Sequence, residues 1–300
     1  MHSLQRSKNS LLANARATFY PQPDGSMKLA RVQVFEQPKF MPAGWEEVNK
    51  EPRPTPLVAA GGEPVENQTG TPSAADLARA VRRSRRMAFD LIMCNHDLDA
   101  FVTFTYSPDA VADKSAYADC YPFLKNWLSN GVQRNGLKYL CVPELTKAGD
   151  VHFHGIMNRG ALRMEEARNP HNGRLIKHNG STVFNVLNWH AGFSTAQLIH
   201  ARYDDESHDP RLAVSKYIFK YMGKNLGAKI GGRYILKGGE LVHPVYAYGD
   251  GVEEFAAPAE LVRCESYEAE IEGVGKYWDY DFCGGCHDTE IRNPVDSLGL

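Results

Sequence analysis

The stretch LKYLCVPELTKAGDVHFHGIM, Leu137 to Met157, decides the fold. Leu137 to Glu144 and Val151 to Met157 are rich in β-forming residues, and TKAGD between them carries a turn signal, so an antiparallel hairpin is expected. Successive side chains of a strand point to opposite faces. His152 and His154 therefore share one face, and Phe153 takes the other. The returning chain brings Glu144 close to both histidines. Two imidazoles and one carboxylate leave coordination positions open, as a catalytic cation requires. Mg2+ or Mn2+ held there would polarise a phosphate oxygen. HxH alone is also compatible with ordinary strand histidines, so residues elsewhere must decide.

Outward from the hairpin, FVTFTY (Phe101 to Tyr106) reads as a strand and carries Thr103 and Thr105. Helix signals begin at Ser73, with Leu77, Ala80, Val81, Met87, Leu91 and Ile92 as a buried stripe. Arg79, Arg82, Arg83, Arg85 and Arg86 fall largely off that stripe. Residues 120 to 130 look helical, with Phe123, Leu124, Trp127 and Leu128 on one face. STVFNVLNWHAGF, ending at Phe193, is strand-like, and RYILKGG and HPVYAYG are late strand candidates. Trp189 and Phe193 read as packing residues, and His190 as structural.

The second deciding stretch is VSKYIFKYMGKNLG, Val214 to Gly227, within a helix expected over Leu212 to Leu226. Tyr217 and Tyr221 are four apart and share a helical face; Lys220 and Lys224 lie one position off it. A tyrosine hydroxyl can attack a phosphodiester and become covalently linked to the phosphate. Its ordinary pKa is near 10, so cations must stabilise the developing charge; Lys220 suits that role. The alternative is an amphipathic helix whose tyrosines pack on a sheet.

With 300 residues and 43% hydrophobic content, one or two domains are expected. The net charge of -2 hides an uneven distribution. Seven Lys or Arg residues stand between Arg211 and Lys237 without one acid, whereas residues 250–300 hold thirteen acids and three bases. A local phosphate-binding surface is compatible with that pattern. No apolar run suggests a secretory leader or a membrane span, and the scattered cysteines do not suggest a disulfide framework. A cytoplasmic protein with no membrane partner is expected.

Four segments are expected: a small hairpin in residues 1–40 (ATFY, LARVQVF), a Pro/Gly-rich mobile linker over 41–73, a main domain over 74–248, and an acidic extension over 249–300.

FVTFTY, VPELTKAGDVHFHGI and YIFKYMGK, in that order, resemble the three motifs of the rolling-circle replication initiators of small phages and plasmids, members of the HUH endonuclease superfamily. The resemblance covers roughly Arg82 to Tyr246 and is to the two-tyrosine form. It implies an α/β (α+β), ferredoxin-like domain with a central antiparallel sheet of about five strands and flanking helices. It also implies a metal-dependent endonuclease that nicks and rejoins single-stranded or hairpin origin DNA. The enzyme would keep the 5′ phosphate on tyrosine and leave a 3′ hydroxyl for a host polymerase. Tyr217 would be the first nucleophile and Tyr221 the second, with Glu144, His152 and His154 as cation ligands. Lys216, Lys224, Thr103, Thr105, Arg82, Arg83 and Arg86 are candidate DNA contacts. No GxxxxGK[ST] loop is present, so unwinding would fall to a host helicase.

FCGGCHDTE holds Cys283, Cys286 and His287, half of a zinc site if Cys264 joins them, or else free thiols in a turn. Other functions stay open: a single-tyrosine, transposase-like strand transferase, a noncatalytic DNA-binding protein, or a metal-dependent hydrolase using water.

Overall fold

The structure is a computed structural model that describes residues 10–42, 46–47, 74–199, 209, 211–212, 215–216, 218–219, 222, 234–271 and 275–282. Two compact units divide the chain: one of residues 1–77 with 243–288, the other of 78–242 with 289–300.

The first unit is an antiparallel sheet. Its strands are β1 (Ser10–Pro21), β2 (Met27–Pro42), β3 (Glu46–Glu47), β12 (Val245–Gly249), β13 (Glu265–Ile271) and β14 (Gly275–Asp281), in the order β13-β14-β2-β1-β12-β3. Alternation packs Ala15, Ala17, Val32, Ala247 and Val252 into one small core. The other face is polar yet buried at Thr18, Arg31, Asp279 and Asp281. Arg31 donates to Thr18 Oγ1 at 3.3 Å, and Gln33 donates to Asp279 across 246 residues of chain.

The expected hairpin of residues 1–40 is therefore longer, with bulges at Ala13/Ala15 and Thr18/Phe19, and it recruits strands from the far end of the chain. The segment boundary read after Tyr248 does not coincide with the division at 242/243, because β12 pairs with β1. The acidic 249–300 segment supplies the β13–β14 hairpin. Of the 41–73 linker, residues 43–45 and 48–73 lie outside the described residues, as do Cys283, Cys286 and His287.

The second unit carries the motifs. Its sheet contains β4 (Leu98–Tyr106), β5 (Tyr139–Leu145), β6 (Val151–Asn158), β7 (Met164–Glu166), β8 (Lys177–His178), β9 (Ser181–Val186), β10 (Gly192–Leu198) and β11 (Leu236–Gly238). The order is β11-β5-β6-β4-β10-β9-β7, with β8 paired to β9. All the pairings are antiparallel. Five strands of six to nine residues (β5, β6, β4, β10, β9) make the centre, and two- or three-residue strands trim it. This open sheet with flanking helices is consistent with a ferredoxin-like domain of the HUH type.

Helix α1 (Ala74–Cys94) and helix α2 (Tyr117–Asn135) flank the sheet's strands in sequence. β4 alternates strictly between buried and half-buried residues. Its even-numbered residues from Ala100 to Tyr106 join Leu124 and Leu128 of α2, Phe153 and Trp189 in one core. Phe104 is wedged between Trp127 and Trp189, at 4.9 and 4.7 Å between ring centroids. Burying each such side chain contributes roughly 1.5–3 kcal/mol. The α2 C-terminus is closed by Gly136 in the left-handed region, its N–H donating to Gly131 O.

Of residues 211–222, the described ones (Arg211, Leu212, Ser215, Lys216, Ile218, Phe219, Met222) are helical. They meet α1 through the Phe89–Phe219 ring pair and through Arg211, which donates to Met93 O at 2.7 Å. Arg85 corrects the expectation that the α1 arginines sit off the buried stripe: it is buried and donates to Phe219 O at 3.3 Å. Its guanidinium meets a helical carbonyl there, which compensates its desolvation. The strand-like region up to Phe193 resolves into β9 and β10 with a break at residues 187–191, and β10 runs on to Leu198. Among the described residues no helix is long and apolar enough to cross a membrane.

Candidate active site

β5 and β6 form the expected hairpin, closed over Thr146–Asp150. Thr146 N donates to Asp150 O at 2.9 Å, Gly149 N donates to Thr146 O at 2.9 Å, and Gly149 takes φ 89°, where glycine carries no Cβ penalty. The register sets Glu144 opposite His152 and Val142 opposite His154. Because directly opposed residues share a face, Glu144, His152 and His154 converge. His154 Nε2 and Glu144 Oε2 are 2.5 Å apart, and both residues are only 6% exposed.

The neighbouring strand β4 completes the arrangement. Thr103 faces His154 across the β4–β6 ladder, with Oγ1 3.1 Å from Nδ1. Phe101 stacks on the same imidazole, 5.9 Å between centroids and 15° between planes. His154 thus has its ring plane and both nitrogens engaged. His152 is half-buried, its ring centroid 6.5 Å from that of His154. Burial, above all, holds the His152 pKa below its ordinary 6.5, and the carboxylates of Glu144 and Asp150 oppose that shift. At neutral pH its imidazole is uncharged and able to donate a lone pair.

Among the described residues no group of three or more His, Cys, Asp or Glu side chains forms a cation-holding cluster. The donors nevertheless suit a divalent ion. They are two imidazole nitrogens and a carboxylate on one face, and the Glu144–His154 contact aims two of them at each other. Bonds of about 2.0–2.2 Å to both atoms would set them roughly 3 Å apart, a small widening of the present pair.

Several predicted residues take defined places. Thr105 lies half-exposed on β4, two residues along from Thr103 and on the same face. Lys216 is exposed; on α1, Arg83 is exposed while Arg82 and Arg86 are half-buried. The side chains that meet His154 are Glu144, Thr103, Phe101 and His152. Tyr217, Lys220, Tyr221 and Lys224 lie outside the described residues.

Two features escaped sequence reasoning. Lys114, in a stretch read only as loop, pairs with Asp150 at 3.0 Å, and its carbonyl accepts from Val151 N at 2.8 Å. This charge pair stands close enough to His152 for both partners to act on its titration. The other is Phe193. Trp189 packs as expected, 6% exposed with Nε1 donating to Thr105 O, but Phe193 is 61% exposed. Alternation along β10 buries Ser194 and turns Phe193 out of the core. His190 is exposed as well.

No curated protein and no solved structure shows a match to the chain. Residues 99–226 match the family model of the replication-associated protein ORF2. That span opens inside β4, takes in Glu144, His152 and His154, and extends past positions 217 and 221. The match supports membership of this part of the chain in the rolling-circle replication (HUH) family, and with it a role in processing nucleic acid.

Proposed function

We propose that the chain is a replication initiator that nicks and rejoins single-stranded DNA at a rolling-circle origin. The observation that carries this reading is the convergence of Glu144, His152 and His154 on one sheet face, braced by Thr103, inside the matched segment. Mg2+ or Mn2+, when bound by those three side chains, supplies Lewis-acid polarisation of a phosphate oxygen. Family membership implies divalent-cation use in general and DNA as partner.

The chain's own residues do the rest. Thr103 orients the His154 ring so that Nε2 faces the shared position. The Tyr217 hydroxyl attacks phosphorus: a tyrosyl O–P bond forms, the P–O3′ bond breaks, and the tyrosyl proton is lost as the 3′ oxygen gains one. The products are a 5′-phosphotyrosine and a free 3′ hydroxyl that a host polymerase extends, with a host helicase unwinding ahead. Lys220 stabilises negative charge on the attacking oxygen. Tyr221 repeats the attack in a later round, or a 3′ hydroxyl reverses the first and rejoins the strand. Lys216, Lys224, Thr105, Arg82, Arg83 and Arg86 contact the DNA backbone, and the protein acts in the cytoplasm.

The direct Glu144–His154 contact also fits a second reading, a DNA-binding protein without catalysis. One experiment separates the two. The full chain is incubated with a labelled, randomised single-stranded oligonucleotide library and Mn2+ or Mg2+, and covalent adducts are resolved by denaturing electrophoresis. The proposal expects an adduct that EDTA abolishes, that Tyr217→Phe and Tyr221→Phe each reduce, and that the double variant lacks. An adduct that survives in the double variant contradicts it. Binding without adduct under either cation establishes the second reading, and full activity after one substitution points to a single-tyrosine enzyme.

A further inference from the structure

Phe193 is the most exposed aromatic side chain among the large hydrophobics that the described residues leave open, at 61% against 44% for Phe123. A single exposed apolar residue is ordinary. The position of this one is not accounted for by packing. Phe193 pairs with Thr105 on β4, and Thr195, two residues along, pairs with Thr103. Thr103 in turn pairs with His154, and Glu144 pairs with His152. Directly opposed residues share a face, so Phe193 lies on the Glu144–His152–His154 face. Continuing the β4–β6 register by one pair sets Thr105 beside His152. Phe193 then occupies the same cross-strand row, two strand spacings or about 10 Å from His152.

The ring is also held firmly. Gly192, with φ 150°, brings its backbone so close to β4 that an added Cβ would stand 2.3 Å from Thr105 O. Ser107 N donates to Ala191 O at 2.9 Å just before the strand begins. Around the ring the face is polar and half-exposed, with Thr195, Gln197, Thr103 and Thr105. Phe101, the other aromatic of this face on β4, already stacks on His154.

We infer that Phe193 is a stacking platform for an unpaired base of the strand whose phosphate lies at Glu144 and His152. A flat apolar ring on a rigid strand among hydroxyl and amide groups matches one ligand chemistry, a nucleobase joined to a sugar-phosphate chain. Every base offers a π-face, so the contact tolerates any sequence, and it needs a single strand, because duplex bases are already stacked. Phe193 is a positioning residue: it sets which phosphate stands over the histidines. This rests on the reading that the face takes single-stranded DNA.

The test uses the full chain in EDTA, where cation-dependent cleavage is off, and a fluorescein-labelled oligothymidylate read by anisotropy. Phe193→Ala and Phe193→Leu should weaken binding by about 5- to 150-fold, the span that base–aromatic stacking is worth. Phe193→Trp should preserve it, and its added indole fluorescence should be quenched by the oligonucleotide. Affinities equal to wild type for the Ala and Leu variants overturn the inference and leave the nicking proposal standing. Weakened binding by those variants, in a protein that forms no adduct with any cation, supports the platform and overturns nicking. A wild-type chain that binds no single strand overturns both.

Discussion

Thr103 and His154 face each other across β4 and β6, with Oγ1 3.1 Å from Nδ1. A partner on one imidazole nitrogen fixes which way the other points, and loss of such a partner typically costs 10- to 100-fold in metal affinity. Thr103→Val should raise the Mn2+ concentration that half-saturates adduct formation by about that factor. Thr103→Ser keeps the hydroxyl and should return it to the wild-type value. A valine variant with unchanged half-saturation would show that the hydroxyl does not serve the ring.

The 2.5 Å contact between Glu144 and His154 is buried on both sides. Glu144→Ala removes one partner of a buried pair and should destabilise the protein by about 1–3 kcal/mol in the absence of metal. Glu144→Gln keeps an acceptor at the same reach and should lose less. Both should abolish the adduct, because the cation needs the carboxylate charge. Urea denaturation in EDTA, run beside the gel assay, distinguishes the stability effect from the chemical one.

His152 should make stability depend on pH in one direction. Its folded pKa lies below the ordinary 6.5, chiefly through burial, with Lys114 acting the same way and Glu144 and Asp150 acting against it. In the window below 6.5 the unfolded chain binds more protons than the folded one, so stability rises with pH there. The contribution is intact above 6.5 and is lost as pH falls through the depressed value. His152→Gln should flatten this slope. Urea midpoints from acid to neutral pH that stay parallel for wild type and variant would rule the effect out.

Gly192→Ala should be costly although it adds only a methyl group. The backbone sits at φ 150°, and the new carbon would press on the Thr105 carbonyl. Strain of this kind costs on the order of 1–3 kcal/mol. Gly160→Ala, where nothing lies within 4 Å, is the matched control and should melt like wild type. Equal melting temperatures for the two variants would contradict the tight β10–β4 approach.

The β5–β6 hairpin and the shared face of its histidines were legible because strand alternation and a tight turn are local properties. α1 and β4 were legible for the same reason. β10 was harder: GFSTAQL carries no alternating apolar pattern, and it is a strand because β4 and β9 pair with it. The pairing of β1 with β12 and of β2 with β14 depends on residues more than two hundred positions apart, which no local signal encodes. At the site, the Glu144–His152 alignment followed from the hairpin alone. The Thr103 brace, the Lys114–Asp150 pair and the outward turn of Phe193 needed the sheet register. Arg85 looked like its arginine neighbours until the carbonyl of Phe219 gave its guanidinium a buried partner.

The link from Gln33 to Asp279 spans 246 residues. On a ribosome adding roughly 5–20 residues per second, β2 emerges about 12 to 50 s before β14 exists. Throughout that interval one edge of β2 has no native partner and presents bare N–H and C=O groups, a template for mispairing with other nascent chains. Residues 78–242 are all synthesised within the wait. A stop codon just after 242 would spare every strand that carries Glu144, His152 and His154 yet strand β1 and β2 for good, so such truncations should aggregate through the N-terminal sheet.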